Sequence, residues 1–401
     1  MQYLFILGST PTLSIQEIES VINHKVDNHL SSDVVSIESS TTIDCSSLIN
    51  RLGGTVKIAL VEKIVSDKAN IINEISDILL QKENIEKITF GISFHGGNLS
   101  GKNKQLSKDI KNYLGKKGRR IRYVLPLGNS LSSVQVVKEK ITEIILVEYK
   151  NQFIIGKTQV VQDFEDWGKR DYQRPCADPK SGMLPPKVAR MMLNIALPNS
   201  NEKNISDQKP IVLDPFCGVG TIGAEGLMVG CWVILSDKDE ITSKKAEKNM
   251  KWLCKIYDLP EDNFKVYCSD ATNISKYVPK NSLDVIVTEP YLGPPMETKN
   301  GSPAIKGKRL NINKLENIIK GLEKLYIGSL KEFKNLLKPQ GKIAIIFPVF
   351  TIEGRYYPLN NIIDTCEKLG YNIVTGPIEY SRPQAIVKRH IYLLEIKNKI
   401  N

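Results

Sequence analysis

The chain has 401 residues, a formal net charge of +11 and 41% hydrophobic residues. That length accommodates two or three domains, the apolar fraction fills their cores, and the basic balance suits a polyanionic partner. No apolar run approaches the length of a membrane span, and the apolar run at 3–7 is too short, and lacks the basic start, for a secretory signal. The 7 cysteines include no Cys-x-x-Cys pair and there are only 4 histidines, which predicts reduced thiols in a cytoplasmic protein and no metal site.

Residues 1–165 alternate short strands (3–7, 55–64, 87–94, 123–126, 153–155) with helices through 15–21 and near 71–81. No nucleotide loop occurs there, which predicts a binding module. Between Lys102 and Arg122 lie Lys102, Lys104, Lys108, Lys111, Lys116, Lys117, Arg119, Arg120 and Arg122, against Asp109 alone. The run Gly115-Lys116-Lys117-Gly118-Arg119-Arg120 forms a basic turn. A solvated face is the plain alternative; the density of the run favours contact with an RNA backbone.

Residues 166–186 are polar, hold several Pro and Gly, and read as a connector. A helix over 187–197 and a polar loop over 198–210 follow. From 211 onward the β/α alternation is regular. Ile211 to Leu213 make a short apolar run, as a buried strand does, and Asp214 ends it. Pro215 and Phe216 follow, then Gly218 and Gly220, which let the backbone turn tightly against a ligand, and Thr221 opens a helix. A second apolar run over 231–235 ends at Ser236-Asp237, and Asp270 follows a third. The run over 281–288 ends with Glu289, Pro290 and Tyr291 at its mouth. A Gly- and Pro-containing loop with Lys299, Lys306, Lys308 and Arg309 comes next, placed to close over a substrate. Leu315, Ile318, Ile319, Leu322, Leu325, Phe333, Leu336 and Leu337 predict a helix over 314–337, ended by Lys338-Pro339. Strands over 341–350 and 389–396 complete the chain.

Three strand mouths carrying Asp, Gly, Asp and an aromatic describe a nucleoside cofactor beside a planar substrate. Gly218, Gly220 and Gly223 also form a literal G-x-G-x-x-G, so a dinucleotide must be weighed. Two features oppose it. Asp214 to Cys217 separate the strand from the glycines, and a carboxylate there repels a pyrophosphate while suiting a cationic amino-acid ligand. A single Asp at a strand end is as readily a helix cap; three in this order form a ligand set. Cys217 reads as a small packing residue.

These residues resemble the class I S-adenosylmethionine-dependent methyltransferases, whose first motif looks like 214–221. The resemblance implies that Asp214 and the loop of Pro215, Phe216, Gly218, Gly220 and Thr221 hold the methionine end of S-adenosyl-L-methionine. It implies that Asp237 accepts from the ribose hydroxyls and Asp270 from the adenine amine. The segment Arg170 to Arg190, the opening 1–8 and the stretch 125–133 resemble, more narrowly, the tRNA guanine-10 N2-methyltransferases, which carry an N-terminal THUMP domain. The implied α/β architecture is a THUMP-like RNA-binding region over 1–165, a connector over 166–186, and a Rossmann-like seven-stranded methyltransferase domain over 187–401 whose last strand is antiparallel. The implied partner is tRNA, and the implied reaction is methylation of the exocyclic N2 of a guanine. Ribosomal RNA or DNA amines, or cofactor binding without catalysis, are the alternatives.

One departure bears on the chemistry. The family's Asp-Pro-Pro-Tyr or Asn-Pro-Pro-Tyr is replaced by Thr288-Glu289-Pro290-Tyr291. An exocyclic amine is a poor nucleophile, so its protons must be accepted and its nitrogen held in line. Tyr291 is kept for stacking. The acceptor is either Glu289, swung inward by the turn at Pro290, or the Thr288 hydroxyl; or the amine chemistry has been lost.

Overall fold

The computed structural model describes residues 1–81, 87–97, 102–178, 183–198, 208–299, 302–305, 308–309, 312–352, 354–381 and 385–397. Lys306, most of the expected 198–210 loop and residues 179–182 of the expected connector lie outside the described residues. The chain forms two compact units, Met1–Asp166 and Trp167–Asn401. Among the described residues no helix is long and apolar enough to cross a membrane.

The first unit is built on one mixed sheet. Its strands are β1 (Gln2–Leu7), β2 (Asn28–His29), β3 (Val34–Glu38), β4 (Thr55–Val65), β5 (Lys87–His95), β6 (Arg120–Val124), β7 (Thr142–Tyr149) and β8 (Gln152–Val161), in the order β2-β3-β1-β4-β8-β7-β5-β6. Helices α1 (Pro11–Ile22) and α2 (Cys45–Arg51) belong to its first half; α3 (Ile71–Leu80), α4 (Asn103–Lys116) and α5 (Ser133–Lys138) belong to its second. Helices α3 and α4 bury Ile75, Ile110 and Leu114 in a core with Phe90 of β5. The strand expected over 123–126 begins three residues earlier, at Arg120, and ends at Val124. Ile121 and Tyr123 pack on that core while Arg120 and Arg122 face solvent, so the period-two pattern fixes the register. Strand β7 was not expected, because its Glu143 masks the apolar run. Glu143 is buried and paired with Lys57 of β4 at 2.5 Å.

The second unit carries a parallel sheet of β9 (Ile211–Asp214), β10 (Trp232–Asp237), β11 (Phe264–Cys268), β12 (Leu283–Thr288) and β16 (Leu337–Ile352). A small antiparallel meander, β13 (Glu297–Lys299), β14 (Ser302–Ile305) and β15 (Lys308–Arg309), follows β12 and contains three of the four cations of the expected basic loop. Strand β17 (Arg355–Pro358) folds back on β16, and β18 (Tyr371–Tyr380) and β19 (Val387–Ile396) complete the order β11-β10-β9-β12-β16-β19-β18. Strand β19 runs antiparallel to both neighbours. The winding reverses beside β9, with β10 on one side and β12 on the other. That is the switch point where α/β sheets open a crevice at their carboxyl edge.

Helices α7 (Pro186–Ala196), α8 (Thr221–Met228), α9 (Glu240–Tyr257), α10 (Ile312–Leu336) and α11 (Asn360–Lys368) cover this sheet. The α10 face buries Leu315, Leu322, Phe333 and Leu336, as its spacing predicts, but Leu337 already begins β16. The stretch expected as a connector opens with a helix, α6 (Phe164–Tyr172), within which the two units divide. In the second unit, Arg170 Nε and Arg190 Nη2 donate to the two oxygens of Glu225 at 2.7 and 2.6 Å, and all three side chains are buried. This double pairing ties Arg170 and, through Arg190, helix α7 to α8. Removing Glu225 would leave two buried guanidinium charges without their carboxylate.

Candidate functional site

A cavity of about 500 Å³ opens at the carboxyl edge of the parallel sheet. Its walls include Asp214, Pro215, Phe216, Gly218 and Thr221 after β9, Asp237 after β10, Asp270 after β11, and Glu289, Pro290 and Tyr291 after β12. Parallel register brings these ends together: Leu235 pairs with Asp214, Asp237 with Cys268, and Ile286 with Leu213. Residues spread over about eighty positions of sequence therefore line one edge.

The glycine loop is set by backbone conformation. Gly218 has φ +52° and Gly220 φ +90°, in the left-handed region that a side chain resists. Gly220 N–H donates to Cys217 C=O at 2.8 Å, and Gly220 caps α8. Gly223 serves packing instead: a Cβ there would lie 2.7 Å from the Leu235 side chain. Of the three glycines in the literal G-x-G-x-x-G, only Gly218 lines the cavity.

The acids differ in environment. Asp214 is 1% exposed, and its Oδ1 accepts from Thr288 Oγ1 at 2.8 Å and from Phe216 N–H at 3.2 Å. Burial pushes its carboxyl up to about 7; the two hydrogen bonds pull it down, and the charges of Asp237 and Glu289 push it up. Asp237 accepts from Gly218 N–H at 3.2 Å and from Asp239 N–H at 3.0 Å, which ties the β10 end to the glycine loop. Burial raises its carboxyl as well. Asp270 is exposed; its Oδ1 accepts from the Thr272 hydroxyl at 2.7 Å and the Thr272 amide at 2.9 Å, which lowers its carboxyl. Asp270 is thus the cap of a 3₁₀ turn as well as a wall of the cavity.

At the β12 mouth, Thr288 is fully buried and does not line the cavity; its hydroxyl is committed to Asp214. Glu289 faces the cavity. Its Oε1 accepts from Arg389 Nε at 2.5 Å, and no hydrogen bond to Oε2 occurs among the described residues. Burial pushes the Glu289 carboxyl up, against the pull of Arg389. Tyr291 is 52% exposed, and its carbonyl accepts from Tyr326 Oη at 2.7 Å, so the chain after Pro290 is pinned to α10 while the ring stays open. Cys217 is buried, and burial pushes its thiol well up, which disfavours the thiolate.

Sequence reasoning missed Arg389, Asp178 and Lys238, all on the cavity wall. Arg389 lies 100 residues from its partner Glu289, and only the strand order joins them. In the first unit, Lys116, Lys117, Arg119 and Arg120 are all exposed around the α4–β6 turn. Lys87 extends the cluster, since it pairs with Arg120 in the β5–β6 register. Arg122 is opposed by Glu139 at 2.8 Å, a counter-charge that the local sequence does not reveal.

No family model matches the chain. Over 152 residues it is 30% identical to a tRNA (guanine(10)-N2)-dimethyltransferase of Methanocaldococcus jannaschii, covering 37% of this chain and 39% of that protein. Over 144 residues it is 28% identical to the protein of the same name from Methanothermobacter thermautotrophicus, covering 36% and 37%. The matched stretch spans under two fifths of these curated relatives. The structure of TrmN from Thermus thermophilus superposes with a TM-score of 0.54, over 99% of this chain and 100% of that one, at 14% identity. The fold is therefore a Rossmann-like methyltransferase fold preceded by an α/β unit, and the sequence likeness is to tRNA (guanine(10)-N2)-dimethyltransferases.

Proposed function

We propose that this chain is an S-adenosylmethionine-dependent methyltransferase acting on the exocyclic N2 of a guanine in tRNA, in the cytoplasm, with the first unit as its RNA-gripping, THUMP-like part. The observation that carries the reading is one cavity walled by Asp214, Asp237, Asp270 and Glu289, with an open Tyr291 ring at its mouth. With Asp178 the cavity wall carries five carboxylates against the two cations Lys238 and Arg389, an acidic excess, in a chain of net charge +11, that suits a ligand that is itself cationic.

The residues fit this cofactor. Both Asp237 oxygens keep acceptor capacity beside their amide partners, as a pair of ribose hydroxyls needs. Asp214, held by Thr288 and the Phe216 amide on the cavity wall, would offer its carboxylate to an ammonium or sulfonium. Bound there, S-adenosylmethionine would supply an electrophilic methyl carbon on a sulfonium, whose sulfur would keep the C–S bonding pair when the amine nitrogen takes the methyl. Glu289 Oε2 is the acceptor for the proton that the amine sheds. Tyr291 offers a stacking face to a base that has left its stem, worth about 1–3 kcal/mol.

The test is methyl transfer from labelled cofactor to total tRNA, followed by nucleoside mass spectrometry. N2-methylguanosine or its dimethyl form is the expected product. Label on adenosine or cytidine, or on ribosomal RNA or DNA alone, refutes the substrate. Glu289→Gln is expected to slow single-turnover transfer by about 10²–10³, the usual cost of losing a preorganised charged group. A wild-type rate for Glu289→Gln, with Thr288→Val inactive, moves the role to Thr288.

A further inference from the structure

Arg389 sits near the start of β19, where it pairs with Pro348 of β16 and Tyr380 of β18. Glu289 follows β12, whose Thr288 pairs with Ile345 on the other side of β16. The Arg389 side chain therefore reaches across an intervening strand, a span of roughly 10 Å between β19 and β12. It meets Glu289 Oε1 through Nε at the wall of the cavity, and the two side chains are 14% and 16% exposed.

We propose that Arg389 is the positioning residue of this site, clamping one oxygen of Glu289 so that the other is presented to the exchangeable proton of the substrate amine. The inference rests on the functional reading above, which assigns the amine. A carboxylate that follows a strand end on a short turn has several rotamers. A guanidinium anchored on a neighbouring strand selects one of them, because its charge-assisted Nε–H donates in a fixed direction to Oε1 alone. Arg389 also offsets the other charges that face Glu289. Asp214 from β9 carries the same sign, and the phenol of Tyr326 on α10 lies within its electrostatic reach. Burial favours the protonated acid, in which Glu289 cannot accept, and Arg389 opposes that effect.

The test uses the full chain with tRNA and S-adenosylmethionine. Arg389→Met is expected to lower the single-turnover rate at pH 7 by about 10²–10³. It should shift the acidic limb of the pH–rate profile upward and leave cofactor affinity within about twofold. Arg389→Lys keeps the charge but not the rigid, directed Nε–H donor, so the position of the limb should recover more fully than the rate. A second readout needs neither cofactor nor RNA: the Glu289 carboxyl resonance, assigned by its loss in Glu289→Gln, should titrate at higher pH in Arg389→Met than in wild type. An Arg389→Met enzyme with wild-type rate and pH profile overturns the proposal. So does an unchanged carboxyl titration, even if wild type methylates tRNA. Failure of wild type to methylate any guanine, with the titration shifted as expected, sinks the functional reading and leaves only an Arg389–Glu289 clamp. If Arg389→Met does not fold, Arg389→Lys alone decides, since its rate and profile must separate.

Discussion

Thr288 Oγ1 donates to Asp214 Oδ1 at 2.8 Å, joining the mouths of the adjacent strands β9 and β12 where both side chains are buried. A hydroxyl in this place stabilises the ionised carboxylate, which burial otherwise penalises. Thr288→Val removes that donor without changing shape much. The expected result is a fall of about tenfold in S-adenosylmethionine affinity at pH 7, the worth of a hydrogen bond to a charged group, with recovery at pH 9. Calorimetry at the two pH values checks it. Intact affinity with lost chemistry would instead make Thr288 a participant in transfer.

Asp214 gives the site a pH dependence. Its folded-state carboxyl titrates near 7, above the ordinary carboxylate range. Its contribution to stability is therefore fully present in acid and is lost as pH rises through about 7. A cationic ligand prefers the ionised form, so affinity should rise with pH up to that point, by at most about tenfold per unit for one proton. Asp214→Asn should flatten both trends while weakening binding. Proton release on binding near pH 6.5, measured calorimetrically in buffers of different ionisation enthalpy, reads the linkage directly; no release would place the titrating group elsewhere.

Asp237→Ala strips two backbone amides, Gly218 and Asp239, of their acceptor and removes the proposed ribose partner. A loss of about 1–3 kcal/mol in cofactor binding is expected. Unaltered affinity would show that the ribose lies elsewhere.

Gly223 and Gly218 should behave oppositely. Gly223→Ala places a methyl against Leu235 and should cost about 1–3 kcal/mol of stability, seen as a lower Tm, with cofactor affinity kept. Gly218 has φ +52° and nothing within 4 Å of an added Cβ, so Gly218→Ala strains the backbone by about 1–2 kcal/mol and intrudes on the cavity it lines. Equal affinities for the two variants would contradict this division of roles.

Neutralising Lys116, Lys117, Arg119 and Arg120 together should weaken tRNA binding and flatten its salt dependence, by roughly one unit of slope per lost phosphate contact. The four side chains are exposed on one turn, so folding should be unaffected. An unchanged slope would mean the turn is only a solvated face.

The sequence by itself determined what periodicity and strand-end chemistry can carry. The apolar runs before Asp214, Asp237 and Thr288, the helix with Leu315, Leu322 and Phe333, and the positive-φ glycines are local properties, each written within one element. Their convergence followed from β/α alternation, because parallel strands put all their carboxyl ends on one edge. Tertiary structure decided the rest. It set Thr288 against Asp214, turned Glu289 to the cavity, assigned Gly223 to packing, and placed Glu139 beside Arg122. It brought Arg389 to Glu289 only because the last strand inserts antiparallel between β16 and β18. Pairing across 100 residues depends on strand order, which the pattern along a single strand does not encode.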